Sequence, residues 1–150
     1  MPLFLEDDHR CYGCGKLNPE GLKLDFRHPQ KGVLQTNVIF SQRHQGFKGI
    51  VHGGIMALVL DEVMLNLAWK EHIPAVTGEL TVRLIKAAKI GQKVHFEGCL
   101  EGGEEGKKVF YASATAKDDA GELIATAKAT CIRMKDHDHN IKLEAGPGSS

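Results

Sequence analysis

Asp61 is the one carboxylate with a distinctive setting, because it interrupts the apolar segment GGIMALVLDEVMLNLAWKE at residues 53–71. A helix that is apolar around most of its circumference is typically enclosed by other structure. At about 100° per residue, Gly54, Leu58 and Leu65 share the face of Asp61. A carboxylate there is costly unless it is paired or used. Asp61 is therefore a candidate catalytic base or nucleophile, or a structural carboxylate paired with an arginine or a backbone donor.

The triplet His52-Gly53-Gly54 stands at the start of this segment. Two glycines let a ligand approach the backbone closely. The first N–H groups of a helix have no partner within it and lie at the positive end of its dipole. Such a terminus stabilises the oxyanion that develops when a carbonyl group is attacked. The alternative interpretation is a glycine-rich helix start without a catalytic role.

Other polar positions favour structural interpretations. Glu62, Asn66 and Lys70 are spaced i, i+4, i+8, which predicts a solvated or interface edge of the helix. Cys11-x-x-Cys14, with His9 nearby, resembles half a zinc site, but no second cysteine or histidine pair accompanies it. A tetrahedral site needs four ligands. We therefore expect a metal-free structural segment there.

Bulk composition excludes several classes of protein. The 150 residues suit one domain, and Lys+Arg and Asp+Glu both number 19, so no basic field favours nucleic acid. No apolar run reaches the roughly 20 residues that cross a bilayer. The first residues lack a secretion signal, and four cysteines do not indicate a disulfide scaffold. We expect a cytoplasmic protein that binds neither nucleic acid nor membrane.

Periodicity predicts an α+β domain. Residues 1–21 form an irregular N-terminal segment, 22–135 the domain, and 136–150 a flexible tail. Strands are expected at 22–26, 33–40, 76–85, 93–100, 108–116 and 123–134, with the helix at 53–71. One apolar helix followed by an antiparallel meander must bury itself on a single curved sheet.

These motifs resemble the phenylacetate-degradation (PaaI) type of hotdog-fold acyl-CoA thioesterase. The resemblance rests on Gly49-Ile50-Val51-His52-Gly53-Gly54-Ile55 with an aspartate nine residues after the histidine. The N-terminal Cys-x-x-Cys-Gly-x-x-Asn-Pro-x-Gly-Leu and the strand from Thr77 to Arg83 also match, so the similarity spans about residues 10–134. It implies a hotdog fold, in which about five or six antiparallel strands wrap one long helix.

The resemblance also implies roles for individual residues. Asp61 would act as general base or nucleophile, the backbone N–H of Gly53 would bind the thioester oxygen, His52 would shape that site, and Thr77 would help to place the attacking water. Substrate contacts would come from positions near these, namely Gly54, Gln45, His44, Arg83 and Lys86.

The expected function is hydrolysis of an acyl-CoA to a carboxylic acid and CoA, with no cofactor and no metal. The alternatives are a hotdog hydratase or dehydratase and a non-catalytic acyl-CoA sensor. Gly53 and Asp61 of one helix lie roughly 12 Å apart along the axis, too far to act on one carbonyl group. We therefore expect a homodimer with shared sites, and the family implies a dimer of dimers (a homotetramer).

Overall fold

The computed structural model describes residues 5–102 and 106–134. It contains one long helix and six strands, with a short 3-10 turn at Gln42–His44. In chain order the elements are β1 (Arg27–Gln30), β2 (Val33–Ile39), α1 (Gly53–Lys70), β3 (Ala75–Leu84), β4 (Lys93–Glu101), β5 (Val109–Lys117) and β6 (Leu123–Arg133). The helix and five of the predicted strands are confirmed to within one residue at each end.

The strands form one antiparallel sheet in the order β1-β2-β4-β5-β6-β3. Consecutive strands β4, β5 and β6 are neighbours, whereas β3 crosses over to pair with β6 and becomes an edge. α1 packs on β2, β3, β4, β5 and β6, and most extensively on β4. The α+β hotdog architecture expected from the sequence is confirmed.

α1 lies against the concave face of this sheet. Most of its apolar side chains are buried, among them Val59, Leu60, Val63, Met64 and Leu67, none of which is exposed. Helix and sheet approach closely at Gly98 of β4, where an added Cβ would lie 2.7 Å from the carbonyl oxygen of Val63. At the C-terminal end of the helix, Trp69 Nε1 donates to Ala75 O at 2.9 Å, which fixes the path into β3.

The strand predicted at 22–26 is wrong. Leu24 and Phe26 are buried in the core. However, the N–H groups of Leu22 and Leu24 donate to Tyr12 O and Gly13 O in the N-terminal loop, so this segment joins no strand. The first strand is instead β1, four exposed residues containing Pro29, a composition tolerated at a sheet edge.

For the helical stripe Glu62, Asn66 and Lys70, predicted as a solvated or interface edge, burial favours the packed alternative. Asn66 is buried, and Glu62 and Lys70 are half-buried. Burial lowers the pKa of Lys70. Glu62 is covered by the N-terminal loop, as described below.

The tail predicted at 136–150 lies outside the described residues. Within the described ranges, no helix has the length and apolar character needed to cross a membrane.

We predict that Gly98→Ala destabilises the protein by about 1–3 kcal/mol, since the methyl group would overlap the helix backbone. Urea unfolding measures the change. Gly78→Ala on β3 is the matched control, because its methyl group would meet only the side chain of Ile132, at 3.0 Å, and backbone at 3.5 Å. Equal losses in the two variants would contradict the direct helix–sheet contact.

Candidate active site

Asp61 lies on the side of α1 that faces β3. It is half-buried, and the hydroxyl of Thr77 donates to its Oδ1 at 2.7 Å. The β3–β6 register shifts between Thr77 and Glu79, a bulge at Gly78. Bulges re-aim side chains. The structure thus brings together the two residues predicted as base and water-positioning group.

Cys131 of β6 is the second neighbour of this carboxylate. It is fully buried, and burial, with the negative charge of Asp61 as a smaller contribution, raises the pKa of its thiol to about 11. The thiol is therefore neutral near pH 7. Asp61 accordingly accepts a hydrogen bond from the Thr77 hydroxyl, and the Cys131 thiol near it carries no charge.

The triplet His52-Gly53-Gly54 forms the start of α1. His52 is the N-cap residue, and its Nδ1 accepts the N–H of Gly54 at 2.9 Å. Among the described residues, no acceptor hydrogen-bonds the N–H of Gly53. The helix start therefore offers one backbone donor, that of Gly53, while the Gly54 N–H is occupied by the cap.

A cleft of about 660 Å³ opens at this helix start. Its lining is mainly apolar and comprises Gly46, Phe47, Ile50, Val51, His52, Gly53, Met56 and residues 84–88. Phe47, 87% exposed, stands at its rim. Sequence analysis missed most of these residues, because loop and strand-end positions show no periodicity that marks them. Asp61 and Thr77 do not line the cleft.

Two of the predicted substrate contacts are held in the loop before the helix. Gln45 Oε1 accepts the N–H of Gly49 at 2.8 Å. The ring of His44 is buried against Phe40, and its Nδ1 accepts the N–H of Ser41 at 3.1 Å. Its Nε2 is buried without a hydrogen-bond partner among the described residues. Their direct contact with substrate stays a prediction.

The two predicted basic contacts differ. Arg83 is exposed near the end of β3. Lys86 lines the cleft and forms ion pairs with Glu122 at 2.8 Å and Asp118 at 3.1 Å. These carboxylates raise the pKa of Lys86, so it remains charged throughout the neutral range.

A further cluster joins the N-terminal loop to α1. Cys11 Sγ lies 3.4 Å from Glu62 Oε1, and Cys14 is buried beside them. Hydrogen bonds from the Cys14 thiol and from the N–H groups of Cys14 and Gly13, opposed by burial, lower the pKa of Cys11 to about 5. Sequence analysis found the cysteine pair but not Glu62, which is separated from Cys11 by 51 positions.

Comparison with known proteins identifies the family. The model of the Thioesterase superfamily matches residues 48–125, just over half of the 150 residues, and the chain therefore belongs to this superfamily. The matched region includes the helix start, all of α1 and Thr77. The membership predicted from the His-Gly-Gly motif and the spaced aspartate is confirmed.

Solved structures share the fold. The smu.793 protein of Streptococcus mutans, bound to acetyl CoA, has a TM-score of 0.67 and 18% identity over 74% of this chain and 88% of that chain. Zebrafish thioesterase superfamily member 2 has a TM-score of 0.69 and 19% identity, covering 81% and 90%. The PaaI protein of Escherichia coli, from the phenylacetic acid degradation operon, has a TM-score of 0.68 and 13% identity, covering 75% and 84%. No curated protein sequence matches this chain.

We predict that His44 makes stability depend on pH. Burial, with a smaller contribution from the neighbouring Arg43, lowers the pKa of His44. The unfolded chain, whose histidine pKa is about 6.5, then binds a proton more readily than the folded protein. The free energy of unfolding should therefore fall as the pH drops below about 6.5, until the folded-state pKa is passed.

Urea unfolding at about pH 7.5 and about pH 5.5 measures this loss. His44→Asn keeps an acceptor for the Ser41 N–H and cannot titrate, so it should lose less stability on acidification than the wild type. An identical loss in both proteins would show that His44 is not responsible.

Proposed function

We propose that the protein is an acyl-CoA thioesterase that hydrolyses a thioester to a carboxylic acid and CoA, with Asp61 as general base or nucleophile. The observation that carries the proposal is the half-buried carboxylate of Asp61, set in an apolar helix and hydrogen-bonded by Thr77. Membership of the Thioesterase superfamily supports it, as does the acetyl CoA bound to the similarly folded S. mutans protein.

The chemistry requires a nucleophile and a group that stabilises the oxyanion. As general base, Asp61 takes a proton from water while the water oxygen attacks the thioester carbon. As nucleophile, the carboxylate attacks directly and forms an anhydride that water then opens. In both routes the C–S bond breaks, and CoA leaves as a thiolate that takes up a proton. The N–H of Gly53, at the positive end of α1, binds the oxyanion.

One chain does not assemble these groups at one point. Gly53 and Asp61 are separated by about 12 Å along the helix axis, and the cleft at Gly53 is not lined by Asp61. β3 runs antiparallel to α1. Its Thr77 lies at Asp61, and its Leu84 lies at Gly53, where an added Cβ would be 2.8 Å from Leu84 Cδ1.

The exposed edge of β3 supports a homodimer that solves this problem. β3 is a ten-residue edge strand with exposed Leu80 and Leu84, the kind of edge that pairs with another chain. Antiparallel pairing of two copies about a two-fold axis places the Leu84 end of one strand beside the Thr77 end of the other. Gly53 of one subunit then approaches Asp61 of its partner, and each dimer has two sites. We extend the family's dimer of dimers to this chain as part of the proposal.

The cleft and its charged rim support CoA as the leaving group. An apolar lining at Phe47 and Met56 suits the acyl chain or the pantetheine arm, and Lys86 and Arg83 provide positive charge for phosphates. Lys86 would have to exchange Asp118 or Glu122 for a phosphate. A panel of acyl-CoA substrates, followed by release of free thiol, defines the acyl group.

We predict that Asp61→Asn lowers kcat by at least roughly 100-fold while the protein remains folded. The amide keeps the shape of the side chain and an oxygen that accepts from Thr77, but it is a poor base. Thiol release measures kcat, and circular dichroism checks the fold. Glu62→Gln, a matched loss of the neighbouring carboxylate, should retain far more activity. Near-wild-type hydrolysis by Asp61→Asn would refute the catalytic role of Asp61. If the wild-type protein binds acyl-CoA but hydrolyses no acyl-CoA substrate, it is a sensor.

We also predict that active sites are shared between subunits. Gly53→Pro removes the N–H at the first helical position, where proline is tolerated, and His52 already has the extended ψ of 132° that a following proline needs. Gly53→Ala is the control, because it also places a carbon against Leu84 but keeps the N–H. Asp61→Ala and Gly53→Pro should each be inactive alone.

Co-refolding the two inactive variants tests the shared site. A mixed dimer has one site with both defects and one with neither, so random mixing should restore roughly a quarter of the sites. If folded variants exchange subunits without recovering activity, the two-subunit site is wrong. Hydrolysis by a monomer would lead to the same conclusion.

A further inference from the structure

The N-terminal loop and α1 bring three metal-binding side chains together. The Sγ atoms of Cys11 and Cys14 and a carboxylate oxygen of Glu62 all lie within 4.8 Å of one another. We propose that these side chains bind one zinc ion, or another thiophilic divalent cation of similar size, and that this ion fastens the loop to the helix. The proposal does not depend on the thioesterase activity.

The sequence C-Y-G-C-G folds into a turn that suits such a site. At Gly13 an added Cβ would lie 2.6 Å from Cγ and Cδ of Glu62, so a glycine is needed for the loop to lie on this side chain. At Gly15 a Cβ would overlap the backbone of Cys11, whose carbonyl accepts the Gly15 N–H at 2.9 Å. The tight turn holds both sulfur atoms beside the carboxylate.

Hydrogen bonds from Asn66 orient the carboxylate of Glu62. Asn66 Nδ2 donates to Glu62 Oε2 at 2.7 Å and to Glu62 O at 2.9 Å, which directs Oε1 towards Cys11. Metal ligands in proteins are typically held by such outer hydrogen bonds. Asn66 therefore acts as a positioning residue for Glu62.

The donor set selects the kind of ion. Two cysteine sulfurs favour zinc and softer ions over magnesium or calcium. Zinc binds sulfur at about 2.3 Å and carboxylate oxygen at about 2.0–2.2 Å in a four-ligand shell. Since Cys11 and Glu62 are half-buried, solvent reaches the cluster and a water molecule can serve as fourth ligand. The sequence-based expectation of a metal-free pair considered only cysteine and histidine residues as further ligands. In the structure, Glu62 provides a third ligand.

The site is distinct from Asp61. Adjacent residues on a helix point about 100° apart, so Asp61 faces β3 and Glu62 faces the N-terminal loop. The ion would therefore stabilise the position of α1 without touching the thioester.

Cobalt(II), a spectroscopic substitute for zinc, tests the proposal on the full chain. We expect thiolate-to-cobalt charge-transfer absorption that saturates at one ion per chain and is reversed by zinc. Cys11→Ser and Cys14→Ser should abolish it, and Glu62→Gln should weaken binding at least about tenfold. Cys99→Ser, on β4 away from the cluster, and Asp61→Asn should bind as the wild type does.

A second measurement needs no variant. Zinc should slow alkylation of Cys11 and Cys14 in the wild type, read residue by residue by mass spectrometry, and leave the rate at Cys99 unchanged. Absence of saturable binding, binding that survives both cysteine substitutions, or equal protection of Cys99 would each overturn the proposal. These outcomes are independent of whether Asp61 catalyses hydrolysis.

Discussion

The constraint on which the structure depends is the enclosure of an almost wholly apolar helix. Because α1 is buried along most of its length, each polar side chain on it needs a partner, either on the helix itself or in the structure that packs on it. Asp61 finds the hydroxyl of Thr77, Glu62 finds Cys11 and Asn66, and the indole N–H of Trp69 finds a carbonyl of β3. The bulge in β3 lies next to Thr77, which reaches Asp61, and the N-terminal loop carries Cys11, which reaches Glu62.

The helix could be predicted from its long apolar run and its glycine-rich start, and five strands from their composition and from the alternation that burial on one face imposes. The same periodicity misled at 22–26. Leu24 and Phe26 alternate inward as strand residues do, yet their backbone is bonded to the Tyr12–Gly13 turn. Alternation of apolar and polar residues predicts which side chains are buried, but it does not predict which groups the backbone hydrogen-bonds to. The opposite error occurred at β1, which the sequence analysis did not predict. Its four residues are all exposed, so no pattern of buried and exposed side chains marks it as a strand.

The candidate site was predictable to the extent that it lies within local motifs. His52, Gly53 and Asp61 follow from one helix, and Thr77 from the family's spacing. The hydrogen bond from the Gly54 N–H to His52 Nδ1 leaves Gly53 as the available donor. This bond depends on the rotamer of His52, which the sequence does not reveal. The three-residue cluster at Glu62 was equally hidden, since 51 positions separate it from Cys11 and only the fold brings them together.

Two adjacent carboxylates on one helix thus face different surroundings, and that difference favours different chemistry. Asp61 is directed to the edge strand β3, where the hydroxyl of Thr77 donates to it, and burial keeps the nearby thiol of Cys131 neutral. Glu62 is directed to a loop with two cysteine sulfur atoms. If α1 were rotated by one residue, about 100°, Asp61 would no longer face Thr77 and Glu62 would no longer face Cys11. The glycines at 13 and 98, which allow close contact on the loop and sheet sides, therefore help to fix which carboxylate faces β3 and which faces the N-terminal loop.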